Sequence, residues 1–318
     1  MAALALLLMG APAAAQQLPD LCHLGNASFH LWDVPSTCRT SFVVLENFLS
    51  ADELAFWRTA VDEAVANRTG KTPAHLAGNA LFDRKEGAAA PGDSGVKKPY
   101  YAGVFTQSLQ LHMDHEGVNS MMLDPEIGRA AATLAGVEGI RIWHDQALIK
   151  EPWANPTGWH LDNPYWSFGA EHGPHGGAIS LWVALDDATP ENGALLFIPG
   201  SHLEAEYHRN AGIGDNLGEL FEVYPEWADR EPVMVPMKAG TASFHSGMTA
   251  HGAGANMTSG RRRAMTCGYM PDGATFNGNP NVLPPDYLAT ISVGDVLDSD
   301  ELNPLLWRST GADTEPKL

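Results

Sequence analysis

Apolar and polar positions recur along this chain in two rhythms. Up to about residue 137 the spacing is helical; after Gly139 it breaks into short β-rich runs. The stretch "SADELAFWRTAVDEAVANRTG" predicts a helix, with Ser50 and Glu53 as its capping box and Gly70 after its end. "DPEIGRAAATLAG" predicts a second, with Asp124 as cap, Pro125 as first helical residue and Gly136 as stop. Residues 71–100, polar with Gly and Pro, read as a loop. The later runs are "IRIWHDQALIKE", "AISLWVALDDA", "ALLFIPGSH", "EPVMVPM", "TASFHS" and "RRRAMTCGYM". Gly, Pro, Asn and Asp clusters separate them, as they separate strands. Many short strands behind a helical preface predict a mainly β domain with flanking helices, a jelly roll or cupin-like barrel. The expected layout is a helical part at about 40–137, a jelly-roll core at about 138–273 and a Pro- and Asn-rich covering segment at 274–318.

Composition agrees with one large domain. Of 318 residues, 44% are hydrophobic, enough for a sizeable core, and 32 Gly with 22 Pro suit a turn-rich β architecture. A formal charge of −19 argues against nucleic acid and anionic membrane surfaces as partners. After the N-terminus no apolar run has the length of a membrane span. The opening "MAALALLLMGAPAAAQQ" resembles a secretory signal peptide ending near residue 15, although the usual Lys or Arg is missing. That reading places the protein in the secretory pathway or periplasm; the alternative is a cytoplasmic protein with an apolar first helix. In an oxidising compartment Cys22 and Cys38 could close a small loop. Cys267, in an apolar run, reads as a buried thiol. The triplets beginning at Asn26, Asn67 and Asn256 fit glycosylation sequons, which are common by chance.

Candidate chemistry starts at "WHLDNPYW". His160 and Asp162 are two apart, so on a strand they share a face. With 13 His in the chain, about one His-x-Asp match is expected by chance. The rival His112-Met-Asp114 has no downstream partners and reads as solvated. A third ligand for the first pair is His251, just before a Gly-rich turn that leaves room for a cofactor. Two His and a carboxylate make the facial triad of non-haem Fe(II) oxygenases, although zinc uses the same set. Arg262 lies eleven residues on, far enough for a turn to bring the next strand back beside His251. It alternates with Arg261 and Arg263, so it faces inward where they face out. An inward guanidinium needs an anion, and its fork matches a carboxylate. A dicarboxylate chelating the metal at one end satisfies both. A cupin-like metalloenzyme without an oxo acid and a non-catalytic jelly-roll binding protein stay open here. Trp159, Tyr165, Trp166 and Phe168 are candidates for a substrate pocket, or equally for β core. His245 packs near the metal or simply belongs to its strand. His172 and His175 read as an exposed loop.

In order and spacing, "DQALIKEP", "WHLDNPYW", "AISLWVALDDATPENGALLFIPGSH" and "HGAGANMTSGRRRA" strongly resemble the phytanoyl-CoA dioxygenase family of Fe(II)/2-oxoglutarate oxygenases, over about residues 140–270. The resemblance implies a double-stranded β-helix with iron held by His160, Asp162 and His251. It implies that Arg262 holds the distal carboxylate of 2-oxoglutarate, that Gln146 and Lys150 line the co-substrate, and that Trp182 is a pocket aromatic. It implies O2 as the second co-substrate and a small organic molecule as substrate. Related halogenases have a small residue at the position of Asp162, so an intact carboxylate favours hydroxylation. The family often has Ser two residues after the distal His; here Ala253 stands there, so one hydrogen bond to the co-substrate is missing or replaced. There is no recognisable CoA motif, and the acidic charge offers no long-range attraction for one.

Overall fold

The computed structural model describes residues 22–24, 41–69, 71, 77, 100–169 and 177–310. Its β-rich runs form two facing sheets, the double-stranded β-helix expected from the sequence. The larger runs in the order β1 (Cys22–Leu24), β2 (Phe42–Leu45), β9 (Ala242–Ser246), β6 (Ile179–Ala184), β11 (Arg262–Pro271), β4 (Gly139–Lys150) and β12 (Leu305–Arg308), with β3 (Thr106–Leu109) also paired to β4. The smaller is β5 (Thr157–His160), β10 (His251–Ala253), β7 (Leu195–Phe197) and β8 (Val233–Val235).

The two-residue period of a strand explains why "ISLWVA" is apolar on both faces except at Ser180. Every residue of β6 is buried. Ile179, Leu181 and Val183 pack into the core under the helices, while Trp182 and Ala184 pack toward the smaller sheet. Both faces of this sheet are therefore covered. The outer cover includes α1 (Ala51–Arg68), which buries Trp57, Ala60, Val61, Ala64 and Val65. Its capping box forms as expected: Glu53 N–H donates to Ser50 Oγ (3.3 Å) and Ser50 N–H to Glu53 Oε2 (2.8 Å). Beside it lie α2 (Glu116–Met122) and α3 (Pro125–Ala135). Asp124 caps α3, and Gly136 ends it at φ 69°, a left-handed conformation that glycine adopts without a Cβ penalty.

The helical preface and the covering tail are less separate from the sheet than the sequence suggests. β2 and β3 come from the preface and β12 from the tail. Each is four residues long, too short for its alternation to register as a strand. The rest of the tail does cover: Phe276, Val282, Leu283 and Leu297 pack on Trp143, Trp166 and Phe168. Arg263 fastens the sheet to its helical cover through a two-point contact to Asp186 (2.8 and 2.7 Å) and a bond to Asp62 (2.7 Å), and Arg261 also pairs with Asp62.

Two expectations are corrected. His112 is buried: its Nδ1 bonds Asp145, whose carboxylate also accepts from the N–H groups of Leu111 (2.9 Å) and His112 (3.1 Å). It ties the segment before α2 to β4, and Asp114 is taken by Arg68. Asn256 is fully buried, its amide donating to the carbonyls of Lys150, Glu151 and Gly260, so the sequon there is closed to modification in the folded chain. Cys267 is a buried free thiol, as expected. The apolar opening segment, Asn26, Cys38, His172 and His175 lie outside the described residues. No helix among the described residues is long and apolar enough to cross a membrane.

Candidate metal centre

β5 and β10 are antiparallel neighbours with His160 opposite His251. Opposite residues project to the same face, and the two imidazoles stand with centroids 4.1 Å apart. Asp162 follows in the turn after β5, its N–H bonded to the Gly247 carbonyl at 2.9 Å. Gly247 permits that approach, since a Cβ there would sit 3.1 Å from those of Ala178 and Asn163. Asp162 Oδ1 lies 3.6 Å from His160 Nε2 and 3.7 Å from His251 Nε2. One donor atom from each of the three residues falls within 4.8 Å of the others. This is the spacing of ligands around a single ion with bonds of about 2 Å.

The hydrogen bonds set the donor set. His160 Nδ1 donates to the Gly158 carbonyl (2.8 Å) and His251 Nδ1 to the Thr249 carbonyl (2.9 Å). A carbonyl only accepts, so each Nδ1 carries the proton and each Nε2 presents a lone pair to the shared centre. Burial, reinforced by neighbouring His160, pushes His251 down to about 3, so the imidazole is a neutral ligand near pH 7. Burial alone would raise the Asp162 carboxyl, but His251, His160 and His245 together hold it well below the usual carboxylate range. Its second oxygen, Oδ2, accepts from Ser180 Oγ (2.6 Å) and His245 Nε2 (3.3 Å). The carboxylate is thus fixed with Oδ1 toward the imidazoles. Two neutral imidazoles and one oriented carboxylate oxygen fit a divalent metal.

A second feature lies on the facing sheet. Lys150 on β4 is opposite Arg262 on β11, and both are buried. Arg262 stands over the Trp182 ring, its guanidinium carbon 5.2 Å from the centroid. Its Nε and one terminal nitrogen are buried with no partner. Lys150 Nζ donates to the Asn155 carbonyl (2.6 Å) and lies over the Phe105 ring. Gly193, at φ 102°, makes room for the lysine stem, since a Cβ there would come 2.6 Å from Lys150 Cδ. Burial pushes Arg262 down to about 10, and burial with the adjacent Arg262 pushes Lys150 down to about 7. Two buried cations facing one cleft, one with orphaned donors, form an anion site. Arg262 faces inward and its neighbours outward, as expected. It does not return beside His251, however: the segment 254–261 crosses from the smaller sheet to the larger, so metal ligands and guanidinium face each other across the sandwich.

Other candidates separate. Gln146 shares the inner face of β4 with Lys150, and its Oε1 accepts from Gln107 Nε2 (2.5 Å); Gln107 in turn accepts from the Tyr101 hydroxyl (3.4 Å). Trp166 meets His144 edge-on and lies where a Cβ on Gly268 would touch its ring. Tyr165 is partly buried, its hydroxyl bonded to the Ala211 carbonyl. Trp159 and Phe168 are corrections. Trp159, next to the inward-facing His160, points to the outer face of β5 against Phe221 by simple alternation, and Phe168 is fully buried between Trp143 and Trp166. Sequence reasoning missed Tyr101, Gln107 and Thr157, which lie on segments without a motif, and Ser180, which lies inside the matched run that begins "AISLWVA" but has no spacing of its own to mark it. For Thr157 only its place three before His160 was available as a signal.

The phytanoyl-CoA dioxygenase (PhyH) family model matches residues 39–264. A probable alpha-ketoglutarate-dependent hypophosphite dioxygenase of Stutzerimonas stutzeri is 26% identical over 235 residues, covering 72% of this chain and 74% of the relative. The ectoine dioxygenase of Sphingopyxis alaskensis is 28% identical over 239 residues, 69% of each chain. Among solved structures, the epimerase SnoN in complex with Fe3+, alpha ketoglutarate and nogalamycin RO superposes with a TM-score of 0.60 at 25% identity, covering 84% of this chain and 94% of that one.

Proposed function

The chain belongs to the phytanoyl-CoA dioxygenase family of Fe(II)/2-oxoglutarate-dependent oxygenases, and we propose that it hydroxylates a small organic substrate with His160, Asp162 and His251 as the iron ligands. The observation that carries the reading is the pairing of a lone-pair triad with a buried, orphaned guanidinium across one cleft. A metal alone explains the triad. It does not explain why Arg262 and Lys150 are kept buried without a carboxylate. 2-Oxoglutarate answers both, its keto acid end at the metal and its distal carboxylate at Arg262 and Lys150. The cupin-like reading without an oxo acid leaves the cations unexplained.

When bound, Fe(II) with 2-oxoglutarate and O2 supplies the oxidising power: R–H, 2-oxoglutarate and O2 become R–OH, succinate and CO2. The chain's residues supply position. His160 and His251 offer Nε2 because their Nδ1 protons are held by backbone. Ser180 and His245 hold Asp162 so that one oxygen points to the metal. Trp182 supports the guanidinium from one side and leaves its orphaned nitrogens for the carboxylate. Tyr101, Gln107 and Gln146 form a hydrogen-bonded wall suited to orienting the substrate. The N-terminal apolar segment supports export to the secretory pathway or periplasm as part of the same reading, checked by the mass of the mature N-terminus.

The test is turnover of purified protein with Fe(II), ascorbate and 2-oxoglutarate, scored by succinate release across a metabolite panel. Succinate above the no-iron control is expected even without substrate, with His160→Ala abolishing both Fe(II) binding and succinate. Turnover of a substrate without 2-oxoglutarate would favour the cupin-like alternative and overturn the proposal.

A further inference from the structure

The bulge in β5 has a chemical consequence at the position of Ala253. His251 pairs with His160, and two residues later Ala253 pairs with Thr157, three residues before His160. The extra residue lies on β5, so Gly158 and Trp159 together oppose Gly252. Both point outward: a Cβ on Gly158 would face Gly214 and Leu217, and the Trp159 ring packs on Phe221. In a regular ladder Gly158 would sit opposite Ala253 on the inner face. The bulge puts Thr157 there instead, directly across from Ala253.

Thr157 is 9% exposed, and its hydroxyl is buried with no hydrogen-bond partner. A hydroxyl left so costs on the order of 1–3 kcal/mol, so it marks a place where a polar ligand belongs. Its surroundings are those of the anion cleft. The Asn155 carbonyl, two residues before it, holds Lys150 Nζ. Ala253, across the ladder, packs in the same cluster as Trp182, the ring beneath Arg262. Gly254 follows the end of β10, and its carbonyl lies against Gly193, the residue that makes room for the lysine stem.

We infer that Thr157 is a co-substrate-positioning residue: its hydroxyl donates to the carboxylate that Arg262 and Lys150 hold, supplying from β5 the donor that the methyl of Ala253 cannot supply from β10. This rests on the 2-oxoglutarate reading above and adds to it a residue for which no motif exists. An anion gathering a guanidinium, an ammonium and a hydroxyl is held in three directions, whereas the two cations alone come from the same sheet and leave its far side unsatisfied.

The experiment measures 2-oxoglutarate binding to the Fe(II)-loaded protein without oxygen, by calorimetry, alongside Fe(II) affinity and the succinate rate. Thr157→Val keeps shape and removes the hydroxyl; it should weaken 2-oxoglutarate about tenfold, as for one hydrogen bond to a charged group, with Fe(II) affinity unchanged. Thr157→Ser should bind within about twofold of wild type. Adding Ala253→Ser to Thr157→Val returns a hydroxyl from the opposite strand and should recover most of the loss. The effect should appear in the KM for 2-oxoglutarate more than in kcat. If wild type binds 2-oxoglutarate and Thr157→Val binds it equally well, or if Ala253→Ser gives no recovery, the role of Thr157 is wrong while the family reading stands. If wild type itself binds no 2-oxoglutarate, the underlying reading fails first.

Discussion

Arg262→Met separates a ligand-binding guanidinium from a structural one. The side chain is 1% exposed, with Nε and a terminal nitrogen unpartnered. Burial pushes its pKa down by more than two units, to about 10. At about 1.4 kcal/mol per pKa unit, holding the charge there costs about 3 kcal/mol. Met fills a similar volume without charge, and the loss of the guanidinium over Trp182 returns about 1–2 kcal/mol of that. The ligand-free variant should therefore be more stable than wild type by about 1–2 kcal/mol, a rise in Tm of a few degrees. With 2-oxoglutarate the order should reverse. Losing a buried two-point contact to a carboxylate costs about 3 kcal/mol, or roughly a hundredfold in Kd. At a 2-oxoglutarate concentration of about 1,000 times the wild-type Kd, ligand stabilises wild type by about 4.1 kcal/mol and the variant by only about 1.4. The assay is thermal unfolding of the Fe(II) protein without oxygen, with and without 2-oxoglutarate. A variant that melts lower than wild type without 2-oxoglutarate, yet gains the same shift from it, would show that Arg262 is a structural cation and refute the reasoning.

Lys150 gives a pH signature. Burial and Arg262 place it near 7 in the free protein, and a bound carboxylate raises it again. Binding of 2-oxoglutarate should thus take up a proton above pH 7, and its Kd should rise by up to tenfold per pH unit from there; below pH 7 the lysine is already charged and the profile flattens. Calorimetry in two buffers of different ionisation enthalpy measures the proton, and a Lys150→Met variant that still takes it up would rule out this lysine as its source. His245→Phe removes a donor to Asp162 Oδ2 and should weaken Fe(II) by about 10- to 100-fold, with His245→Gln recovering part of it; an unchanged Fe(II) titration would exclude the clamp. Asn256→Ala leaves three carbonyls without their shared donor and should lower stability by about 2–4 kcal/mol in urea unfolding. Peptide mass analysis after secretion from a glycosylating host should find Asn256 unmodified.

The features legible in the sequence were those with local periodicity or a fixed spacing. The capping box at Ser50, the Gly136 stop and the apolar run of β6 are set by neighbouring residues, so they survive folding unchanged. His160 and Asp162 were legible for the same reason. What was not legible depended on partners far along the chain. His112 looked solvated because its partner Asp145 is distant in sequence and brought close only by β4. Arg262 was rightly placed inward, but the number of residues after His251 cannot tell a hairpin from a crossing between sheets. Trp159 alternates with His160 and so faces out, while one bulge turns Thr157 inward, because a one-residue shift reverses the face of the side chains beyond it. Trp159 looked like a pocket wall and points away. Thr157 had no motif and points in.

The same logic bears on what Asp162 says about the reaction. An intact carboxylate leaves no ligand site open for halide, which favours hydroxylation, but it does not fix the outcome by itself. A relative that binds iron and alpha ketoglutarate on this fold is an epimerase. Which substrate atom is placed beside the metal must come from residues outside the triad. In this chain Arg262, Lys150 and Trp182 are the residues we propose for the co-substrate side. On the inner face of β4, Gln146 is turned by Gln107, which is itself held by Tyr101. With its oxygen taken by Gln107, the amino group of Gln146 is the donor we propose for the substrate. A substrate placed by that donor and by the edge of Trp166 must carry a hydrogen-bond acceptor near its reacting carbon. Selectivity then depends on how well a substrate's acceptor-to-C–H distance matches the position of Gln146, which Gln107 and Tyr101 hold in place.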